Sequence, residues 1–224
     1  MLTHAKLKEL LAPFGVELDE QRLEQVSTYL RVLMRWNERI NLTAVRNEQE
    51  VVTRHFGESL FLARIISLYG RLLDIGSGAG FPGLALKVAF PELNVTLLEP
   101  VSKKRAFLKE VARECGFVNV DARPERLEDF VPTEHRFESV TMRAVGDVTN
   151  LVTLGLSALA DSGRLALWLS RNQAVELLGS YSDVIWEAPV NIPGSRERVI
   201  LIGSGVRRTN PSDGGRDSVK FCST

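Results

Sequence analysis

The chain has 224 residues, enough for one domain or one domain with an appendage, and long enough to bury a core without a metal or disulfide staple. Hydrophobic residues make up 44% and charged residues 25%, and 28 Lys and Arg balance 28 Asp and Glu to a formal net charge of zero. That balance excludes a protein coated in basic charge for non-specific polyanion binding, but leaves a local basic patch open. Cys115 and Cys222 form neither a disulfide framework nor a metal-spaced cluster, which fits a reducing, cytoplasmic setting. His4, His55 and His135 are too scattered for a zinc site, so no metal is expected. The opening MLTHAKLKEL carries charges inside its apolar pattern and has no signal-peptide core. No uncharged apolar run approaches the ~20 residues of a bilayer span, so no membrane partner is expected either.

Residues 1–68 read as helical. Leu23, Val26, Leu30 and Leu33 form an apolar stripe at three- and four-residue steps, and Asp19 is the N-cap expected for it. A second helical run covers Glu48 to Leu68, with Gly70 as its stop. The pattern then alternates. Strand-like runs at 71–76, 94–99, 118–122, 137–145 and 163–170 are separated by helical runs at 81–90, 102–116 and 151–160. A further helix, QAVELLGS, precedes two adjacent strand-like runs at 183–193 and 197–205, read as a closing hairpin. Such alternation implies a mostly parallel sheet covered on both faces, with an antiparallel edge. The Gly-, Ser-, Asp- and Thr-rich tail at 207–224 reads as disordered.

The sharpest local signal is Leu72-Leu73-Asp74-Ile75-Gly76-Ser77-Gly78-Ala79-Gly80, a glycine turn between a strand and a helix. Glycines let the backbone turn tightly and approach a ligand, and ligands of open α/β sheets sit at the carboxyl ends of the strands. The spacing is not that of the dinucleotide fingerprint, because the last glycine falls two places after the second rather than three. Asp74 can organise the loop or meet a cationic ligand. Glu99 ends the next strand, where an acid can accept from a ribose diol. Glu125 follows the third strand and can line the base of a nucleoside, or be a plain surface carboxylate. Together these residues favour a bound nucleoside without phosphate cradling.

Asp74 to Gly80 resembles the first motif of class I S-adenosylmethionine methyltransferases, and Glu99 resembles their ribose-binding acid. The resemblance extends to one family, the bacterial small-subunit (16S) ribosomal RNA guanine-N7 methyltransferases of the GidB/RsmG group. Trp36-Asn37-Glu38-Arg39-Ile40-Asn41-Leu42-Thr43 is similar to the family's W-N-x-x-x-N-L-T. Arg54-His55-Phe56-Gly57-Glu58-Ser59 resembles its R-H-x-x-D-S, with Glu58 in place of Asp. Gly76 to Gly83, Lys103 to Leu108, Arg123-Pro124-Glu125 and Arg143-Ala144-Val145 resemble its remaining segments in order and spacing.

The resemblance implies a Rossmann-like class I methyltransferase domain at 69–206 behind a helical extension at 1–68 packed on that core. It also implies S-adenosyl-L-methionine as cofactor and 16S ribosomal RNA or the small subunit as partner. Asp74, Gly76, Gly78, Phe81, Glu99, Pro124 and Glu125 would bind the cofactor. Arg143 would sit at the transfer site, contacting either cofactor or RNA, and Arg39, Asn41, His55, Lys103, Lys104 and Arg123 would face RNA. The chain departs from the family at Ser170-Arg171-Asn172, where Lys-Gly is usual, and in a tail with only Arg207, Arg208, Arg216 and Lys220.

Several of these residues have a structural reading as well. Trp36 can pack the N-terminal helices onto the sheet, and Asn41 and Thr43 can bond the backbone of a turn. Arg31, Arg35 and Arg39 share one helix face, either solvated or set against RNA phosphates. Lys103, Lys104 and Arg105 open a helix, where cations are electrostatically unfavourable, and a polyanionic substrate explains them better than helix stability does. His55 is either a polar contact in the cleft or a satisfied structural residue, and Cys115 reads as a small buried hydrophobe.

Guanine N7 is an exposed lone pair that can attack a sulfonium methyl without prior deprotonation. The fourth strand ends in Thr141-Met142-Arg143-Ala144, with neither the Pro-Cys that attack at pyrimidine C5 wants nor the Asn-Pro-Pro-aromatic run of exocyclic amine methylation. Arg143 is a candidate donor to guanine O6, and alanine in its place is expected to cut turnover while leaving the fold intact. The expectation is therefore a monomeric, cytoplasmic rRNA methyltransferase. A small-molecule methyltransferase and an inactive nucleoside- or RNA-binding module are the alternatives.

Overall fold

The computed structural model describes residues 1–130, 136–144, 146 and 148–206. The apolar run at Arg71–Ile75 (β1) is buried from Leu72 onward, as expected of a strand covered on both faces. It pairs in parallel with Asn94–Leu98 (β2) on one side and Phe137–Arg143 (β4) on the other. Val120–Arg123 (β3) extends the sheet beyond β2, and Leu159–Ser170 (β5) lies parallel to β4. Arg198–Val206 (β8) closes antiparallel on β5. The strand order runs β3-β2-β1-β4-β5-β8, with Val184–Trp186 (β6) at the far edge beyond β8. Its direction of growth reverses between β1 and β4, so the switch point lies beside the glycine turn.

The run at 183–193 is not one hairpin arm. It divides into Val184–Trp186 (β6) and Val190–Asn191 (β7), which pair with successive parts of β8. Pro189, in the gap between them, has no N–H to give to a ladder.

Helices cover both faces. Gly83–Ala89 (α5) and Ser102–Glu114 (α6) bury Leu84, Leu86, Phe107 and Leu108 on one face, in a core that also holds Leu7, Leu23, Val26 and Leu33 of the N-terminal helices. Val148–Ser157 (α7) and Arg171–Ser180 (α8) cover the other face through Val152, Ala174 and Leu177. Ser170 caps α8 in a reciprocal capping box with Gln173. Arg171 bonds Arg196 O (2.8 Å) and Asn191 Oδ1 (2.6 Å). The tail at 207–224, with its four cations and Cys222, and His135 lie outside the described residues.

The N-terminal segment comprises His4–Leu11 (α1) and Glu20–Asn37 (α2), the latter capped by Asp19 Oδ1 accepting from Arg22 N at 2.8 Å. The expected single helix at 48–68 is instead a broken one. Glu48–Val51 (α3) runs into a π-helical turn at Val52–Gly57, then Glu58–Leu60 (α4) and a 3₁₀ turn at Phe61–Arg64. The widened turn faces the end of β4, and π-turns often mark functional sites.

The loop after α2 hangs on Asn37, which is 3% exposed. Its Nδ2 donates to Thr43 O (3.0 Å) and Val45 O (3.4 Å), and its Oδ1 accepts from Leu42 N (2.9 Å) and Thr43 N (3.1 Å). The turn-bonding role expected of Asn41 thus belongs to Asn37; Asn41 is exposed, its Oδ1 accepting from Arg46 Nη2 at 3.1 Å. Thr43 does bond the turn, its Oγ1 accepting from Val45 N at 3.1 Å. Asn37→Ala would leave the Leu42 and Thr43 amides without their acceptor. It should lower the unfolding free energy in urea by roughly 2–3 kcal/mol; a loss under about 0.5 kcal/mol would mean that water replaces the amide.

Candidate active site

The glycine turn is fixed from three sides. Gly76, Gly78 and Gly80 all have positive φ (68°, 53° and 83°), a region that L side chains rarely adopt. Ser77 N donates to Leu98 O (3.0 Å), tying the turn to the end of β2. Glu99, 4% exposed, accepts from Gly78 N (2.9 Å) with one oxygen and from Val101 N (2.8 Å) with the other. Asp74 lies beneath the turn, wholly buried, accepting from Thr141 Oγ1 (2.7 Å) and Gly83 N (3.3 Å). Of its two expected roles, this geometry supports the organiser of the loop.

Burial pushes the Asp74 carboxyl up from 3.8 to about 6, against the hydrogen bonds that favour its ionised form. A carboxyl with a raised folded-state pKa stabilises the fold fully below its unfolded pKa. That contribution is lost as pH rises through the folded value. The stability of the wild type relative to Asp74→Asn should therefore fall between pH 4 and pH 7, measured by urea unfolding across the range. A difference that does not change with pH would show that Asp74 is ionised throughout.

The helical extension packs under the same turn. Tyr29 Oη donates to Ala79 O (2.5 Å), and a Cβ at Gly80 would lie 2.3 Å from that hydroxyl. Phe81 is sandwiched between Tyr29 (centroids 5.2 Å, 6° between planes) and His55 (4.9 Å, 21°), with Phe56 edge-on to it. His55 Nε2 meets Thr43 Oγ1 at 2.7 Å. Burial, with Arg143 and Arg54 close by, pushes the His55 pKa down to about 3, so the ring is neutral at physiological pH.

Above the turn are two adjoining cavities that share Gly76, Lys104 and Ala144. The first, about 370 Å³, is lined by Ile75, Leu98, Val101 and Leu127 together with the carboxylates Glu99, Glu125 and Glu128. Apolar walls with an acid at the end of β2 suit a base and a ribose diol. Pro124 is exposed beside Glu125. Glu125 is held by Arg123 (2.6 and 3.2 Å), whose guanidinium keeps its pKa low. The second cavity, about 330 Å³, is lined by Thr43, His55, Ser77, Gly78, Phe81 and Arg143, among others.

Arg143, at the end of β4, has a side chain only 14% exposed. Its Nη2 donates to Arg54 O (2.6 Å) and Glu58 Oε2 (3.0 Å), and its Nη1 to Ser59 Oγ (3.2 Å) and His55 O (3.4 Å). Glu58 is itself buried, its other oxygen accepting from Arg198 Nη2 of β8 at 2.7 Å. Trp168 Nε1 of β5 donates to Glu58 O at 2.9 Å. Arg143 thus ties the π-turn to β4, and Glu58, the residue after that turn, ties in β8 and β5, with both terminal nitrogens of Arg143 engaged inside the protein. The expectation that its loss would leave the fold intact assumed a free fork. Arg143→Ala should instead lower stability by about 3 kcal/mol, since Glu58 keeps only Arg198 as its cation, and should lower turnover as the π-turn shifts. Unfolding at the wild-type midpoint would remove the bracket role.

The cations proposed to meet RNA fall into two groups. Arg31 and Arg35 reach Glu114 and Glu110 of α6, Arg105 bonds Glu99 O (2.8 Å) and Pro100 O (2.7 Å), and Arg123 is tied to Glu125. Among the described residues, the side chains of Arg39, Lys103 and Lys104 have no hydrogen-bond or ion-pair partner. Trp36 packs α2 on α6, edge-on to Phe107 at 5.9 Å with Nε1 donating to Glu110. Sequence patterns assign no role to Tyr29, Ser59, Thr141 or Arg198, although Ser59 and Thr141 stand within recognised motifs. Each is an ordinary core or strand residue by local pattern, and only the tertiary contact reveals its part.

The strand order, the glycine turn at the switch point and the acid after β2 define the class I methyltransferase fold. Solved structures share it: the glycopeptide N-methyltransferase MtfA complexed with sinefungin matches with a TM-score of 0.57 at 14% identity, covering 67% of this chain and 86% of that one. The ribosomal protein L11 methylase from Lactobacillus delbrueckii subsp. bulgaricus matches at 0.56 and 12%, covering 68% and 79%. The family model for rRNA small subunit methyltransferase G, GidB, matches residues 22–205, and the chain belongs to that family. Proteins named ribosomal RNA small subunit methyltransferase G are 36% identical over 85% of this chain and 91% of their own length in Chromobacterium violaceum, and 37% identical over 88% and 89% in Roseiflexus castenholzii. The family is one of S-adenosylmethionine-dependent methyltransferases.

Proposed function

We propose that this chain transfers a methyl group from S-adenosylmethionine to N7 of a guanine in 16S ribosomal RNA, acting as a cytoplasmic monomer on the RNA or on the small subunit. One observation carries the choice of atom. Among the described residues, those lining the second cavity include no carboxylate, thiol or phenol, and the one histidine there is held neutral with a pKa near 3. Such a pocket has no group suited to removing a proton, and guanine N7 has none to remove.

The residues of the first cavity fit the cofactor. Glu99, already oriented by two backbone amides, faces the place of a ribose diol, and Ile75, Leu98 and Val101 offer apolar surface to adenine beside Pro124 and Glu125. When bound, S-adenosylmethionine supplies an electrophilic methyl on a sulfonium. The chain's own work is then positioning and exclusion of water. Gly76 and Gly78 let the backbone approach closely, while Asp74 and Tyr29 hold the turn from below. Arg143 is a positioning residue that fixes the π-turn and so His55 and Thr43. Lys104, lining both cavities without an ion-pair partner, is the cation best placed to meet the target nucleotide. An unpaired or extruded guanine is required to reach a pocket of this size.

Labelled methyl transfer to small subunits from a strain lacking the modification, and separately to their naked RNA, should yield 7-methylguanosine on nucleoside analysis. Label in any other nucleoside would overturn the choice of atom, and cofactor binding without transfer to either substrate would overturn the choice of RNA.

A further inference from the structure

Successive residues at the start of α6 face different concavities. Lys104 lines the cofactor cavity and the transfer pocket, whereas Lys103 lines a separate groove of about 600 Å³ between the end of α2 and α6. Arg35, Trp36, Arg39, Ile40 and Glu110 form the rest of its wall. Its one carboxylate is already engaged, since Glu110 takes both Arg35 and the Trp36 indole N–H. Arg39 and Lys103 are exposed and unpaired among the described residues. Arg35 and Arg31, on α2 about one and two turns before Arg39 in the turn that follows it, are both paired with α6.

In a chain of zero net charge, two unpaired cations converging on one concavity form a local anion site. Lys103 also stands in the first turn of a 13-residue helix, where the helix dipole disfavours a cation and a bound anion relieves it. Trp36 and Ile40, both half-buried, give the groove an apolar wall beside those charges. An anion next to a flat apolar group is the chemistry of a nucleotide.

Resting on the methyltransferase reading above, we infer that this groove receives the nucleotide adjoining the target guanosine, its phosphate between Arg39 and Lys103 and its base against Trp36 and Ile40. The single strand crosses the first turn of α6, with the target on the Lys104 side and its neighbour on the Lys103 side.

Binding of deproteinised, unmodified small-subunit RNA over a series of salt concentrations tests this, with the double variant Arg39→Ala/Lys103→Ala in the full chain. Losing the one single-strand phosphate that these two cations hold should reduce the log–log salt slope by about 0.7 and weaken binding on the order of tenfold. Affinity for S-adenosylmethionine should stay unchanged. The control Lys6→Ala/Arg113→Ala removes the same charge outside the groove and should leave the slope alone. A wild-type slope in the Arg39/Lys103 variant overturns the groove even if methylation proceeds. A loss seen with intact subunits but not with naked RNA would assign the groove to a ribosomal protein and overturn it as well. A wild type that methylates no RNA, beside a variant that has lost affinity and slope, would defeat the function and leave the groove standing.

Discussion

The hydroxyl of Tyr29 donating to the carbonyl of Ala79 is the contact on which the site depends. It joins the helical extension to the glycine turn, and it holds the turn at the point where the backbone has least intrinsic preference. Gly76, Gly78 and Gly80 each carry a positive φ, so the turn gains its definition from outside itself. Asp74 and Glu99 hold it through Gly83 N and Gly78 N, and Tyr29 holds it through a carbonyl. The stack of Tyr29, Phe81 and His55 then carries that order to the wall of the transfer pocket. The extension is therefore part of the active-site architecture, and its apolar residues share one core with the sheet face they cover.

A buried ion pair is a weak source of stability but a strong source of geometry, because removing either partner leaves a charge uncompensated. Glu58 shows why this chain retains one. Its carboxylate joins Arg143 of β4 to Arg198 of β8, and its backbone carbonyl takes the indole of Trp168 from β5. Three strands are thus tied to Glu58, the first residue after the widened turn of helix. The carbonyls of Arg54 and His55 accept from Arg143 in the same place, so the π-turn serves as the acceptor side of the bracket. Glu in place of Asp reaches one methylene further, and here the carboxylate meets an arginine on each oxygen.

Features set by local periodicity were legible in the sequence. The Leu23, Val26, Leu30 and Leu33 stripe, the Asp19 cap and the alternation of strands with helices from Arg71 all follow from short-range patterns, and the structure contains each. The π-turn was not legible, because an apolar stripe looks the same whether one turn holds four residues or five. The division of the 183–193 run was legible in principle at Pro189, which cannot complete a ladder. The arginine stripe misleads for a different reason. Its partners Glu110 and Glu114 lie some seventy residues or more away on α6, so a helix face that reads as wholly free is two-thirds committed. Asn37 and Asn41 show the same limit at shorter range: both suit a turn, and only burial selects Asn37.

The chemistry and the electrostatics of the chain agree with each other. A pocket lined by a neutral histidine, a saturated arginine and a single available lysine offers position rather than proton transfer. Catalysis by position requires the target base to be brought in and held, and the pocket itself is too small to do this for a large polyanion. Holding must come from charges outside the pocket. In a chain with no net charge those charges must be few and local, since every cation bound to a carboxylate is lost to the substrate. Most of the arginines near the cleft are so bound: Arg35 to Glu110, Arg123 to Glu125 and Arg143 to Glu58. Among the described residues, the unpaired Arg39, Lys103 and Lys104 gather at the start of one helix and just past the end of another, on either side of the entrance to the site. A neutral surface with a cationic seam of this kind discriminates against polyanions in general and favours a strand whose phosphates match the spacing of the seam.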